Sequence, residues 1–426
     1  MNLDLAQARA DTPGVNHVAH LNNAGASLAP KPVIDAMVGH LRLESEIGSY
    51  EAAERAQEAI ERGRAAVGAL LNCDSQEVAL FDSASRAWTA ALASVPLRAG
   101  DRVLISPMEY GSCYLSLLHL AKRHGVRLEV LPVDADGLVS VEELRGRLDE
   151  RVKLIAMTHV PTHDGLVYPL ALIGQVARQN GIPFLADACQ SVGQMPIDVE
   201  EIGCDMLVGC GRKYLRGPRG TGFLFARREF AEQLTPAMFG LDGVEWTAGT
   251  YRFAPAARRF DTWEANCAAR IGLGVAIDYA LAWGVEHTWP RIRRLAADLR
   301  AEFTRIPGVT VLDRGQERCG TVAITVRGWD AASVRAELQR AGINTWVCLE
   351  NAACVDMQMR GLNSLLRVSV HYYNSSEELA RLCSVLESLT LGRPVRVAVS
   401  DGISMDQAAE AGQHGAHAGV GRQHGG

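Results

Sequence analysis

Two hydrophobic periods alternate along this chain. Short apolar runs bounded by glycine or polar residues occur at VALF (78–81), DRVLISP (101–107), VRLEVLPVD (126–134), VKLIAMTHV (152–160) and IPFLADACQSVG (182–193). Each has the length and flanks of a buried strand. Between them lie stretches with apolar residues at helical spacing: Asp82 to Leu92, Tyr114 to His124, and VSVEELRGRL (139–148). Residues 51–71, upstream, carry the same helical pattern. Repeated strand–helix alternation predicts an α/β fold with a mostly parallel central sheet and helices on both faces.

The rhythm changes after a helix predicted over residues 268–284. VTVLDRG (309–315), GTVAITVRG (320–328) and LLRVSVHYY (365–373) are strand-like, and the helical ASVRAELQRAG (332–342) falls among them. This predicts a large domain over 20–285 and a smaller α+β C-terminal domain over 286–392, joined by residues 1–19. The remaining 393–426 end in HGAHAGVGRQHGG, a Gly/His-rich tail expected to be disordered because it cannot bury enough apolar surface to offset its ordering entropy. Its His414, His417 and His424 are expected to be solvated rather than to hold a metal.

Composition narrows the classes. The 426 residues are 48% hydrophobic and 22% charged, with a formal net charge of −6, which disfavours nucleic acid as a partner. No apolar run reaches the roughly 20 residues of a membrane span, and MNLDLAQARAD lacks the basic start and apolar core of a secretory signal. A cytoplasmic protein is expected. Ten cysteines with no CxxC pair then read as reduced thiols, with no metal site indicated.

Candidate chemistry concentrates in one place. Lys213 lies in CDMLVGCGRKYLRGPRGTG (204–222), downstream of Asp187 in IPFLADACQSVG. The strand predicted at 182–186 delivers Asp187 to a crevice at its C-terminal end. A second strand over 204–209 precedes glycines that let backbone approach a flat group. An amine for a Schiff base and a carboxylate against a pyridine nitrogen are what a pyridoxal 5'-phosphate (PLP) enzyme requires. Lys213 and Asp187 fit those roles.

The chain resembles the class V aminotransferase family of PLP enzymes, which includes cysteine desulfurases, isopenicillin N epimerase and carbon–sulfur lyases. The resemblance runs in order through HLNNAGASLAPKPVIDAM (20–37), SPMEYGSCY (106–114), THVPTHDGLVYP (158–169), ADACQSVGQMPIDV (186–199), GRKYLRGPRGTG (211–222) and LLRVSVHYYNSSEEL (365–379). It implies a fold-type I PLP-dependent transferase, an amino-acid substrate and a homodimer. It also implies residue roles. Lys213 is the Schiff base lysine. Ser83, Ala84, Ser85 and Arg86, opening a helix, fall where the family holds the cofactor phosphate, a place suited to anions. Arg212 stands where many relatives carry a histidine facing that phosphate, and Cys210 replaces a serine or threonine near it. Gln190 and Thr162 match positions near the cofactor's phenolic oxygen, Asp187 meets the ring nitrogen, and Arg367 matches the arginine that clamps the substrate carboxylate. Asn23 is expected at the substrate.

Several positions depart from the family pattern. Gly111 occupies the place of a ring-stacking histidine, which leaves Tyr110 or Tyr114 to cover the ring. In RRFDTWEAN (258–266), Trp263 and Glu264 replace a Gly-Thr pair that contacts phosphate across the dimer. An ungapped count back from Arg367 puts Ala352 where desulfurases carry their thiol, with Cys354 two residues later and Cys348 four earlier. The leading expectation is therefore β-elimination by a carbon–sulfur lyase acting on a cysteine-derived substrate. GSYEAAE (48–54) resembles hercynylcysteine sulfoxide lyases, and the EYG run resembles isopenicillin N epimerases. Aminotransfer, epimerisation, cysteine desulfuration through Cys354, and a non-catalytic binding protein of the same fold stand as alternatives.

Overall fold

In the computed structural model, which describes residues 3–392, a seven-stranded sheet is built from β1 (Val78–Phe81), β2 (Arg102–Ile105), β3 (Arg127–Val130), β4 (Val152–Thr158), β5 (Phe184–Asp187), β6 (Met206–Cys210) and β7 (Gly222–Ala226). Their spatial order is β1-β7-β6-β5-β4-β2-β3. Only β7 runs antiparallel to its neighbours, β1 and β6. The apolar runs had indicated the parallel strands, whereas the strand GFLFA (222–226) was not picked out.

Strand alternation sends side chains to two cores. Leu104, Ile155, Phe184, Ala186 and Leu207 pack on one face. Val103, Leu154, Ala156, Leu185 and Met206 pack on the other, against Trp88 and Ala87 of the helix Ala84–Ser94. Both faces are covered, so the strands are nearly continuously apolar rather than alternating. Two elements differ from the sequence reading. The helix expected over 51–71 breaks at Ala56 into Ser49–Arg55 and Gln57–Leu71. An unforeseen hairpin, Val244–Thr247 with Thr250–Phe253, exposes Trp246 and Tyr251.

A second, antiparallel sheet holds β8 (Val309–Val311), β9 (Thr321–Val326), β10 (Trp346–Leu349) and β11 (Ser364–Ser369) in the order β8-β9-β11-β10. Its apolar face packs Val322, Ile324, Leu366 and Val368 against Phe303, Leu382 and Leu386. The proposed domain boundary at 285 falls on an 81° bend between the helices Cys267–Trp283 and Val285–Arg305. Gly284 makes that bend possible with a φ of +74°, a conformation open to glycine. No single helix among the described residues is long and apolar enough to cross a membrane. The expected tail, 393–426, and its histidines lie outside the described residues.

Candidate active site

Three adjacent strands end together at the middle of the large sheet. Thr158 closes β4, Asp187 closes β5 and Cys210 closes β6, with Thr158 paired to Asp187 and Asp187 to Val208. The C-terminal edge of such strands is where open α/β sheets form a crevice. Asp187 is buried, and its Oδ1 accepts from the Cys189 amide at 2.8 Å while the Cys113 thiol donates to Oδ2 at 3.7 Å. Lys213 follows β6 in a turn closed by the Arg216 amide on the Lys213 carbonyl, 2.9 Å. The lysine is only 7% exposed, and among the described residues it has no ion-pair partner. Gly193, at φ +85°, lets this turn pack close: a Cβ there would lie 2.6 Å from the Leu215 amide nitrogen.

Beside the lysine turn, the helix Ala84–Ser94 opens with Ser83 accepting from the Arg86 amide at 3.3 Å. The Ser85 hydroxyl lies 3.1 Å from that of Ser112. Ala84, Cys189 and Cys210 form a small buried cluster under this helix end, so Cys210 adjoins the expected phosphate position. Its thiol is held below its ordinary range, first by the hydrogen bond from Cys189 and then by the Lys213 and Arg212 cations, against the effect of burial. Arg212 is half-buried next to Lys213. Together these are amide, hydroxyl and cationic donors suited to a phosphate.

Opposite that end stands Arg367 on β11, 3% exposed. One of its terminal nitrogens donates to the carbonyl and hydroxyl of Thr162, at 2.8 and 3.0 Å, and the other to Asn22 Oδ1 at 3.1 Å. Gln190 Nε2 donates to the same Thr162 hydroxyl, 3.3 Å, and to the Ala24 carbonyl, 3.1 Å. Arg367 Nε and Gln190 Oε1 are buried without partners. An unpaired buried polar atom costs about 1–3 kcal/mol, so two of them in one crevice fit a place for a polar ligand.

Asn23 stands elsewhere than expected. It is fully buried, donates to the Ser369 carbonyl at 2.8 Å and to the His20 carbonyl at 3.2 Å, and accepts from the Tyr373 hydroxyl. Its hydrogen-bonding capacity is consumed in joining the N-terminal segment to β11. Asn22, its neighbour, is the asparagine that reaches Arg367.

The ring-facing side also has content that the sequence reading missed. Lys213 Nζ lies 5.8 Å from the centroid of the Tyr110 ring, and Tyr114 packs at the edge of the core around Trp88. Of the two tyrosines, Tyr110 is the one beside the lysine. Gly111 is close-packed, since a Cβ there would run into the Asn351 carbonyl oxygen. Beneath Asp187, Glu109 is fully buried; its Oε1 accepts from the Ser106 hydroxyl at 2.6 Å and the Thr158 amide at 3.0 Å, while Oε2 has no partner. Burial pushes its carboxyl up to about 8, more than those two hydrogen bonds pull it down. It is therefore largely a neutral acid at neutral pH, which spares Asp187 a second nearby negative charge.

Unlike Cys210, the two cysteines of the 348–354 segment are not activated. Cys348 on β10 is 2% exposed, with its Sγ on the Thr162 carbonyl at 3.8 Å, and burial raises its thiol. Cys354, partly buried at the start of the helix Cys354–Met359, is also raised, by burial first. The segment holding Trp263 and Glu264 borders a cleft of about 400 Å³ that Asp82 and Arg86 also line. Among the described residues no group of three His, Cys, Asp or Glu could hold a metal ion.

Comparison with known proteins identifies the family. A family model described as Aminotransferase class-V matches residues 19–382. A probable cysteine desulfurase of Methanothermobacter thermautotrophicus is 29% identical over 392 residues, covering 89% of this chain and 97% of that protein. Another, from Xylella fastidiosa, is 30% identical over 399 residues, covering 90% and 95%. Among solved structures, the apo cysteine desulfurase of Thermococcus onnurineus NA1 superposes with a TM-score of 0.86 at 26% identity, covering 92% of this chain and 99% of that one. A cystine C–S lyase in complex with cysteine persulfide shares the fold, with a TM-score of 0.80 at 22% identity over 88% of this chain and 99% of that one.

Proposed function

The chain belongs to the class V aminotransferase family, a family of PLP-dependent enzymes, and from that premise we propose that it breaks the Cβ–S bond of a cysteine-derived amino acid by β-elimination. Names of relatives support the cysteine-derived substrate. The observation that carries elimination is the placement of the two thiols nearest the desulfurase position: Cys348 is buried on β10 and Cys354 is held at the start of the helix Cys354–Met359. A thiol that attacks sulfur works as a thiolate, yet burial raises both Cys348 and Cys354.

PLP, when bound, supplies an electron sink for the pair released at the substrate's Cα. Asp187, at the end of β5, would hold the pyridine nitrogen, with neutral Glu109 behind it. The free amides at Ala84 and Ser85, with Arg212, would hold the phosphate; Gln190 and Thr162 would meet the phenolic oxygen. Lys213 provides the amine, and its Nζ then takes the Cα proton. Arg367 holds the α-carboxylate through its unpaired Nε, its other nitrogens being fixed by Thr162 and Asn22. Tyr110 covers the ring where Gly111 has no side chain. Water then enters the balance: the substrate RS–CH2–CH(NH3+)–COO− and one water give RSH, pyruvate and ammonium.

Desulfuration is the second reading, and the relatives' names favour it. There Cys354 would accept the sulfur and alanine would be the co-product. Incubating the holoenzyme with cysteine, cystine, cysteine S-conjugates, cysteine sulfoxides and ordinary amino donors, with assays for pyruvate, sulfide, alanine and keto acids, separates the readings. Pyruvate equal to the sulfur released supports elimination; alanine in its place overturns it.

A further inference from the structure

Between β10 and β11, both in Arg367's sheet, the chain loops out against residues 107–111 as a short 3-10 turn, Glu350–Ala352, and the helix Cys354–Met359. Its first part lies against Gly111, where the Asn351 carbonyl fills the space a Cβ would need. Its second part is pinned through Asp356. The Asp356 amide donates to the Pro107 carbonyl at 3.1 Å, three residues before Tyr110. The buried Asp356 carboxylate meets His163 Nε2 at 2.7 Å and the Arg314 guanidinium at 2.6 Å, with Arg360 at 3.4 Å. Arg314 and Arg360 also reach buried Asp164, at 3.5 and 3.2 Å. His163 and Asp164 directly follow Thr162, the residue whose carbonyl and hydroxyl fix Arg367.

We propose that Asp356 is a positioning residue: through His163 it sets Thr162 and hence Arg367, and through Pro107 and the Asn351–Gly111 contact it holds residues 350–359 as a fixed wall beside Tyr110. A buried ion cluster suits this task. Removing one partner would strand the others buried and uncompensated, a strongly destabilising change that opposes movement of any one of them. The wall also covers Cys348, which packs with Met357 and Leu365. A held wall keeps the Cys354 helix from entering the site, so this inference deepens the elimination reading and rests on it for its link to substrate.

The test uses Asp356→Ala, Asp356→Asn and Gly111→Ala holoenzymes, each checked for PLP content. Two quantities are read. One is the rate at which N-ethylmaleimide alkylates Cys348, followed by peptide mapping; it needs no substrate and stands whatever the reaction. The other is the split of kcat and KM on the best amino acid found. Asp356→Ala and Gly111→Ala are expected to speed Cys348 alkylation at least tenfold and to raise KM about tenfold while kcat stays within about threefold. Asp356→Asn, which can still accept from His163, is expected to fall between them and the wild type. Gly111→Ala leaves the ion cluster untouched and reports on the wall alone; Asp356→Asn decides the role of Asp356 if Asp356→Ala does not fold. Unchanged alkylation, an unchanged KM, or equal losses in kcat and cofactor binding overturn the proposal. If no amino acid turns over, the reaction reading fails while the alkylation result still decides the wall.

Discussion

The floor of the crevice and its far wall are built in opposite ways. On the floor, Asp187, Cys210 and Lys213 come from two neighbouring parallel strands and the turn after one of them, within 27 residues of chain. Their geometry follows from strand register, which hydrogen bonding and two-sided burial fix. The wall and the carboxylate clamp join residues far apart in sequence: Asn22 with Arg367, Thr162 with Arg367, His163 with Asp356, Gly111 with Asn351. Only tertiary packing brings these together. The floor is therefore fixed by strand register, and the wall by tertiary contacts alone.

The largest expected effects are on the floor. Lys213→Ala should lower turnover by on the order of 10⁶, the scale seen when a covalent nucleophile is lost, and remove the borohydride-reducible cofactor linkage while circular dichroism is unchanged. A reducible linkage in that variant would place the amine elsewhere. Asp187→Asn should lower kcat by on the order of 10²–10³, the range for removing one electrostatic stabiliser; near-normal turnover would detach Asp187 from the ring nitrogen.

A smaller effect is expected at the clamp. Arg367→Lys cannot reproduce contacts to Thr162, Asn22 and a carboxylate at once. Losing a charge-assisted hydrogen bond of about 1.5–3 kcal/mol should raise KM roughly ten- to a hundredfold with PLP still bound. An unchanged KM would move the carboxylate site.

Glu109 sharpens the comparison from beneath. Its carboxyl is raised in the folded state to about 8, so the folded protein holds a proton that the unfolded chain releases near an ordinary glutamate pKa of about 4.3. Stability from this group is thus present at acid pH and lost as pH rises from about 4 to 8. Glu109→Gln, which stays neutral, should flatten the decline of melting temperature across that window. An unaltered slope would mean that Glu109 is ionised throughout.

How much of this was legible follows the same division. The parallel strands announced themselves because burial on both faces makes LIAM and FLA continuously apolar. Asp187 and Lys213 stood out because a strand end and a glycine-rich turn place them locally. β7 did not, since GFLFA sits directly after loop glycines and its antiparallel partners β1 and β6 are set by topology. Asn23 was expected at the substrate, but which way it faces is decided by Ser369 and Tyr373, some 350 residues away. Glu109 and His163 gave no signal, because a buried polar residue is recognisable only once its surroundings are known.

Elimination requires that sulfur leave without passing through an enzyme thiol. It is tested most directly by the Cys348→Ala/Cys354→Ala double variant, with pyruvate, alanine and released sulfur measured together on the best cysteine-derived substrate. Under elimination the variant keeps most of the wild-type rate and forms one pyruvate per C–S bond broken. Loss of activity in the variant, with alanine and a Cys354 persulfide in the wild type, would contradict it.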